Sequence, residues 1–161
     1  MTKKKLILTG TCLNTGKAVY FSYEKYPNMR VLDALRITIS VPILFDPVKF
    51  NDRYYVDGGC IDNYPISLFN DELENVIGIH LGDQPKKNEI CNVVDYFISI
   101  FNCLQQFHCK NSYKGYEKYT LNVCSNNNSS LTNFEIDKQM LLDMFKDGAI
   151  AMTNFLNNYE S

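Results

Sequence analysis

At 161 residues and 45% hydrophobic, with a net charge of -2 and a pI near 5.7, the chain is long enough for one globular domain with its own core. Sixteen basic residues, only three of them arginine (Arg30, Arg36 and Arg53), give no dominant basic surface of the kind a phosphate backbone demands, so nucleic acid is not an expected partner. No stretch approaches the roughly 18 to 20 apolar residues of a membrane span, and any membrane contact is expected to be peripheral.

The six cysteines (12, 60, 91, 103, 109 and 124) contain no C-x-x-C pair. The start, "MTKKKLILTG", lacks a signal peptide's long apolar core. Reduced thiols, mostly filling the core of a cytoplasmic protein, are therefore expected. The sequons at Asn127 and Asn128, in "SNNNSS", matter only for a secreted chain and read here as exposed loop.

In chain order, "KKLILTGTCLN" and "KAVYFSYE" are β-rich runs separated by the turn signal "NTG" and predict two neighbouring strands. "MRVLDALRITIS" places Val31, Leu32, Leu35 and Ile39 at helical spacing, with Pro42 ending the helix. "ILFDPVKFNDRYYVDGG" looks extended, turning at "NDR" so that "YYV" runs as a strand into Asp57, Gly58 and Gly59. "ENVIGIHLGD" is a short, nearly continuous apolar run, the pattern of a strand covered on both faces.

Further on, Ile90, Val94, Phe97, Phe101, Leu104 and His108 repeat at three and four residues and predict the longest amphipathic helix. "YEKYTLNVCS" supplies another strand, and Leu141, Phe145, Ala149, Met152 and Phe155 line one face of a last helix. Strands interleaved with helices predict an α/β fold, a layered sheet flanked by helices, as one domain over residues 1-161.

Glycines directly after a strand-borne acid let the backbone turn sharply and leave the carboxylate at the strand's C-terminal edge, where open α/β sheets place their active sites. Asp-Gly is also a common turn dipeptide, so "DGG" by itself reads first as a turn. Its company, in fixed order, is "LTGTCLNTGKAVYFS", then "VLDALRITISVPILFDPV", then "YYVDGGCIDNYPI".

Together these stretches resemble the C-terminal part of the patatin-like phospholipases, a family of lipid acyl hydrolases. The matching pieces are Thr15-Gly16, the stretch from Ala34 to Pro42, Phe45 to Val48, and Asp57-Gly58-Gly59 with Asn63 and Pro65 behind them. Gly148, Ala151 and Phe155 in a late helix are similar less specifically. The resemblance implies hydrolysis of phospholipid or acylglycerol esters by a Ser-Asp dyad, with Asp57 as proton acceptor, Gly58 and Gly59 supporting it, and no metal or cofactor. It also implies a lipid ester or membrane surface as partner.

The departure sits at the nucleophile. None of the serines has glycine both two residues before and two after, as a G-x-S-x-G elbow requires, and no glycine-rich oxyanion loop is present. The expectation is a patatin-like domain without its N-terminal part, inactive alone. Its alternatives are an enzyme half completed by a separate or upstream segment, and a non-catalytic remnant that binds lipid or protein, associating through an exposed sheet edge.

"GTCLN" sets Cys12 where an elbow serine would stand, yet "TGKAVYFS" continues as turn and strand rather than the helix an elbow opens. Cys60 reads as a small side chain beside the turn, and His80 and His108 as core or helix-end residues. Tyr20, Phe21, Tyr23 and Tyr26, with Phe97, Phe101 and Phe107, suit an acyl-chain groove, though core packing explains them as well. Lys3 to Lys5 suit anionic lipid headgroups, but exposed lysines at a terminus read first as solvated.

Overall fold

The computed structural model describes residues 4–82, 90–124 and 137–159, and leaves aside the side chains of residues 106 and 108–110. Lys3, the sequons at Asn127 and Asn128, and the side chains of His108 and Cys109 lie outside the described residues. The chain forms two compact units, one of Met1–Pro65 with Ile90–Ser112 and the other of Ile66–Glu89 with Tyr113–Ser161.

The first unit is built on an antiparallel sheet in the order β2-β1-β4-β3, with β1 Ile7–Cys12, β2 Lys17–Ser22, β3 Val48–Phe50 and β4 Arg53–Asp57. The "NTG" turn closes β1 onto β2, with Gly16 at φ +64 and its N–H on the Cys12 carbonyl at 2.8 Å. Asn51 and Asp52, both at positive φ, make the tight turn between β3 and β4. Both hairpins fall where the turn residues place them.

Alternation puts Leu8, Gly10 and Cys12 of β1 on one face, level with Phe21, Val19 and Tyr55 of the neighbouring strands. Helix α1, Val31–Thr38, covers that face through Ala34 and Ile37, and these join Cys12, Phe21, Val48 and Tyr55 in the core. The contact is close because Gly10 has no side chain. A Cβ there would stand 2.6 Å from Ile37 Cγ2 and 2.8 Å from Phe21 Cε2.

The helix stands where it was predicted, but on a different face. Val31, Leu32, Leu35 and Ile39 are exposed, and the buried line is Ala34 and Ile37. Ile37 fills the space above Gly10, Ala34 joins it in the core, and the heavier leucines turn outward. Ser40 finishes the helix, its N–H on Ile37 O and its hydroxyl on Arg36 O. In the same unit α2, Val93–Ser112, begins three residues after Ile90, and Val94, Phe97 and Leu104 of its predicted stripe are exposed.

In the second unit β5, Gly78–Gly82, pairs in parallel with β6, Thr120–Cys124, and α3, Lys138–Tyr159, packs against β6. The expected strands are present, but β5 is not covered on both faces: His80 is buried while Ile79 and Leu81 are 61% and 72% exposed. On α3 the predicted line faces out at Leu141, Phe145, Ala149 and Met152, with Phe145 77% exposed, while its last member, Phe155, turns toward β6 together with Ala151. The α/β class is as expected, with the strands divided between two sheets.

The cysteines depart from expectation. All five described thiols are free, but only Cys12 is buried, and Cys91, Cys103 and Cys124 are exposed. The aromatic cluster divides too: Phe21 packs with Tyr26 and Tyr55, whereas Tyr23, Phe97 and Phe107 are exposed and core packing does not account for them. His80 is a core residue, its Nδ1 3.0 Å from Asn122 Oδ1 and its ring against Tyr113.

The choice of helix face is testable in urea. Ile37→Ala, at a site with no exposed surface, is expected to cost about 2 to 5 kcal/mol. Leu32→Ala is expected to stay within about 0.5 kcal/mol of wild type. A larger loss at Leu32 than at Ile37 would invert the packing described.

Candidate active site

Asp57 is the last residue of β4, and its place is set by three neighbours. Across the sheet it pairs with Gly10 of β1, and its N–H donates to the Ser40 carbonyl at 2.9 Å, joining the strand end to the end of α1. Its side chain accepts from Gly59 N–H at 2.7 Å, capping a short 3-10 turn over Gly58–Cys60. Ile61 N–H and Asp62 N–H both return to the Gly58 carbonyl, at 3.1 and 2.9 Å.

The glycine pair is required by space rather than by left-handed backbone. A Cβ on Gly58 would run into the Thr9 side chain and stand 2.7 Å from the Thr9 carbonyl carbon. A Cβ on Gly59 would stand 2.8 Å from Asn63 Oδ1 and 2.9 Å from Asp57 Oδ1. The tripeptide is thus a turn and a carboxylate mount at once, and the two readings of "DGG" are not exclusive.

Asp57 is half-buried, and loss of solvent raises its pKa above the ordinary carboxylate value, with the Gly59 N–H pulling partly back. A carboxylate that is costly to ionise and holds one oxygen on a backbone amide has a second oxygen left to take a proton. Cys60, on the same turn, is held as a thiol: burial and the Asp57 charge push its pKa up to about 11. It is a poor nucleophile in this setting.

Cys12 differs. Burial opposes its ionisation, but hydrogen bonds from the Thr15 hydroxyl and from the Thr15 and Asn14 amides outweigh it and lower the pKa. The thiol has no solvent-exposed surface, and the turn after it leads into β2, so the geometry is strand, turn and strand. Nothing in this hairpin exposes Cys12 at a tip as an elbow exposes its serine.

Sequence reasoning singled out Asp57, Gly58 and Gly59 but missed Ser40, Thr9 and Asp62, and it read Tyr20 only as part of an aromatic cluster. Ser40 and Thr9 act through a carbonyl and through shape, which residue type does not announce. Tyr20 donates its hydroxyl to Asp62 Oδ2 at 2.5 Å from 42 residues away, and the signal available was the second acid in "DGGCIDN". A separate cavity of about 450 Å³, lined by Asn122, Ala151, Asn154 and Phe155 among others, belongs to the β6–α3 unit and does not include Asp57.

A half-buried carboxylate with a raised pKa at a strand end, mounted on two glycines, has the geometry and the affinity to exchange a proton. Residues 2–70, which contain this whole arrangement, match the family model described as patatin-like phospholipase.

Among curated relatives, the probable lipid hydrolase 463L of Invertebrate iridescent virus 6 is 29% identical over 147 residues, covering 91% of this chain and 47% of its own length. The uncharacterized protein R571 of Acanthamoeba polyphaga mimivirus is 36% identical over 106 residues, 61% of this chain and 36% of its own. The uncharacterized protein YqhO of Bacillus subtilis (strain 168) is 35% identical over 96 residues, 53% of this chain and 33% of its own. The chain spans less than half the length of these relatives. Among the described residues, no helix is long and apolar enough to cross a membrane.

Two outcomes follow. Gly58→Ala is expected to destabilise the chain by about 1 to 3 kcal/mol, read in urea, because its Cβ meets Thr9 backbone that has no easy retreat. Asp57→Asn keeps an acceptor for Gly59 N–H and removes a charge that folding disfavours. The raised pKa means that wild type loses stability as pH climbs from the unfolded value near 3.8 through the folded one. The stability of the variant relative to wild type therefore rises across that window and is flat above it. A difference with no pH dependence there would contradict the raised pKa.

Proposed function

We propose that this chain carries the proton-acceptor part of a patatin-like lipid acyl hydrolase site, with Asp57 as the base of a Ser-Asp dyad acting on phospholipid or acylglycerol esters. The observation that carries the reading is the mounting of Asp57, half-buried with one carboxylate oxygen on the Gly59 amide, inside the stretch that matches the family. The name of the iridescent virus relative, probable lipid hydrolase, points the same way.

In this reading the serine attacks the ester carbonyl as its proton passes to Asp57, an acyl-enzyme forms with loss of the alcohol, and water releases the acid by the reverse proton path. Burial suits Asp57 to this: a carboxylate with a raised pKa is a stronger base than one free in water. The serine and oxyanion donors are supplied by a G-x-S-x-G-bearing segment that the 161 residues do not include. The chain by itself is therefore proposed to be inactive, one patatin-like domain in part, completed by a joined or separate segment.

A second reading, a non-catalytic module that associates through its apolar surface, is favoured by one observation. In the second unit Ile79 and Leu81 of β5, with Ile77 just before it, face solvent, and among the described residues β5 is paired on one edge alone, with β6.

The purified chain is expected to show no esterase turnover and no serine labelling by a fluorophosphonate. Joined to a patatin-like segment with a G-x-S-x-G elbow, it is expected to hydrolyse esters, and Asp57→Asn in the joined protein to lower turnover by a factor on the order of 10³ or more with folding intact. Labelling of a serine within the 161 residues, or undiminished turnover in the variant, would refute the dyad reading.

A further inference from the structure

We propose that Tyr20 and Asp62 form a positioning pair for Asp57, fixing the peptide plane that presents the Gly59 N–H to its carboxylate. The inference rests on the reading of Asp57 as a proton acceptor and names residues that act through it.

The linkage runs through one rigid unit. The carbonyl of Gly58 and the N–H of Gly59 belong to the same peptide group, which is planar and turns as a whole. On its carbonyl side that group accepts Ile61 N–H at 3.1 Å and Asp62 N–H at 2.9 Å, with the Thr11 hydroxyl at 3.5 Å. On its amide side it donates to Asp57 Oδ1 at 2.7 Å. Whatever holds Asp62 therefore orients the donor that Asp57 uses.

Asp62 is held by Tyr20, whose hydroxyl donates to Oδ2 at 2.5 Å. Tyr20 sits in β2 directly opposite Thr9, and Thr9 is the residue whose side chain occupies the space beside Gly58. The turn is thus gripped at both ends from neighbouring strands, Gly58 against Thr9 and Asp62 by Tyr20. Burial and the Asp62 carboxylate push the Tyr20 phenol up to about 12, so it stays a donor throughout the neutral range. Cys60, which feels the Asp57 charge, is the titratable neighbour on the turn itself, and Lys25 lies 6.0 Å from the Tyr20 ring centre.

A pair that merely stabilised the loop would change the melting temperature and nothing at Asp57. The test is a carbon-13 titration of the Asp57 carboxyl in the full chain, for wild type, Tyr20→Phe, Asp62→Ala and Asp62→Asn, with thermal midpoints recorded alongside. The amide bond favours the carboxylate, so loosening it in Tyr20→Phe and Asp62→Ala is expected to raise the Asp57 pKa by roughly half a pKa unit, the scale of one backbone N–H bond. Asp62→Asn keeps an acceptor for the Tyr20 hydroxyl and loses only the charge, so its Asp57 pKa is expected at or slightly below the wild-type value.

Removing the Asp62 charge would by itself lower the Asp57 pKa, so a rise reports geometry rather than charge. An unmoved Asp57 pKa in both loosening variants, whatever their melting temperatures, overturns the pair. Should Tyr20→Phe fail to fold, Asp62→Ala against Asp62→Asn decides the same question. The base role fails separately: a moved pKa with undiminished turnover in Asp57→Asn of the joined protein sinks that role and leaves the pair standing.

Discussion

The first unit depends on how closely α1 approaches β1 at Gly10. Without a side chain at that position, Ile37 and Phe21 both close over the strand, and at the end of the same helix the Ser40 carbonyl accepts the Asp57 N–H. The same residue of β1 pairs with Asp57 across the sheet. The position that needs a missing Cβ for the core is thus also the one paired with the acid at the end of β4. Packing at this density leaves little room for gradual adjustment, which is why the glycine positions matter more than their size suggests.

From that anchor the site follows by local rules. A strand that must turn at once after Asp57 needs residues with no side chain, since Thr9 already fills the space beside Gly58. The turn in return brings an amide onto the carboxylate, and half-burial raises the pKa that the amide partly lowers. The result is an acid held in one orientation and poised to bind a proton more readily than a solvated one. The neighbouring Cys60 is driven the other way from reactivity by the same burial and the same charge.

Much of the fold was legible because its signals are local. "NTG" and "NDR" are turn chemistry, the "DGG" motif marks the end of β4, and periodicity located α1, α2 and α3. Faces were less legible. Val31, Leu32, Leu35 and Ile39 have the spacing of a buried stripe, yet Ala34 and Ile37 are what the sheet accepts, because the choice is made by the shape of the opposite surface rather than by hydrophobicity.

The same holds for Leu141 and Phe145 in α3, and for Ile79 and Leu81, whose apolar run suggested two covered faces. At the site, residue types revealed Asp57 and its glycines. The Ser40 carbonyl, the Thr9 contact and the Tyr20–Asp62 bond are tertiary, between residues far apart in the chain, and no window of sequence contains them.

The central claim is that Asp57 takes a proton from the nucleophile, and a pH–rate profile of the joined protein tests it most directly. If Asp57 must be ionised to act, kcat/KM falls on the acid side through a group whose pKa lies above the ordinary 3.8 and coincides with the Asp57 value titrated in the free protein. That acid limb should vanish from the residual activity of Asp57→Asn. A limb that persists unchanged in the variant, or an acid side governed by a pKa unrelated to Asp57, would contradict the account.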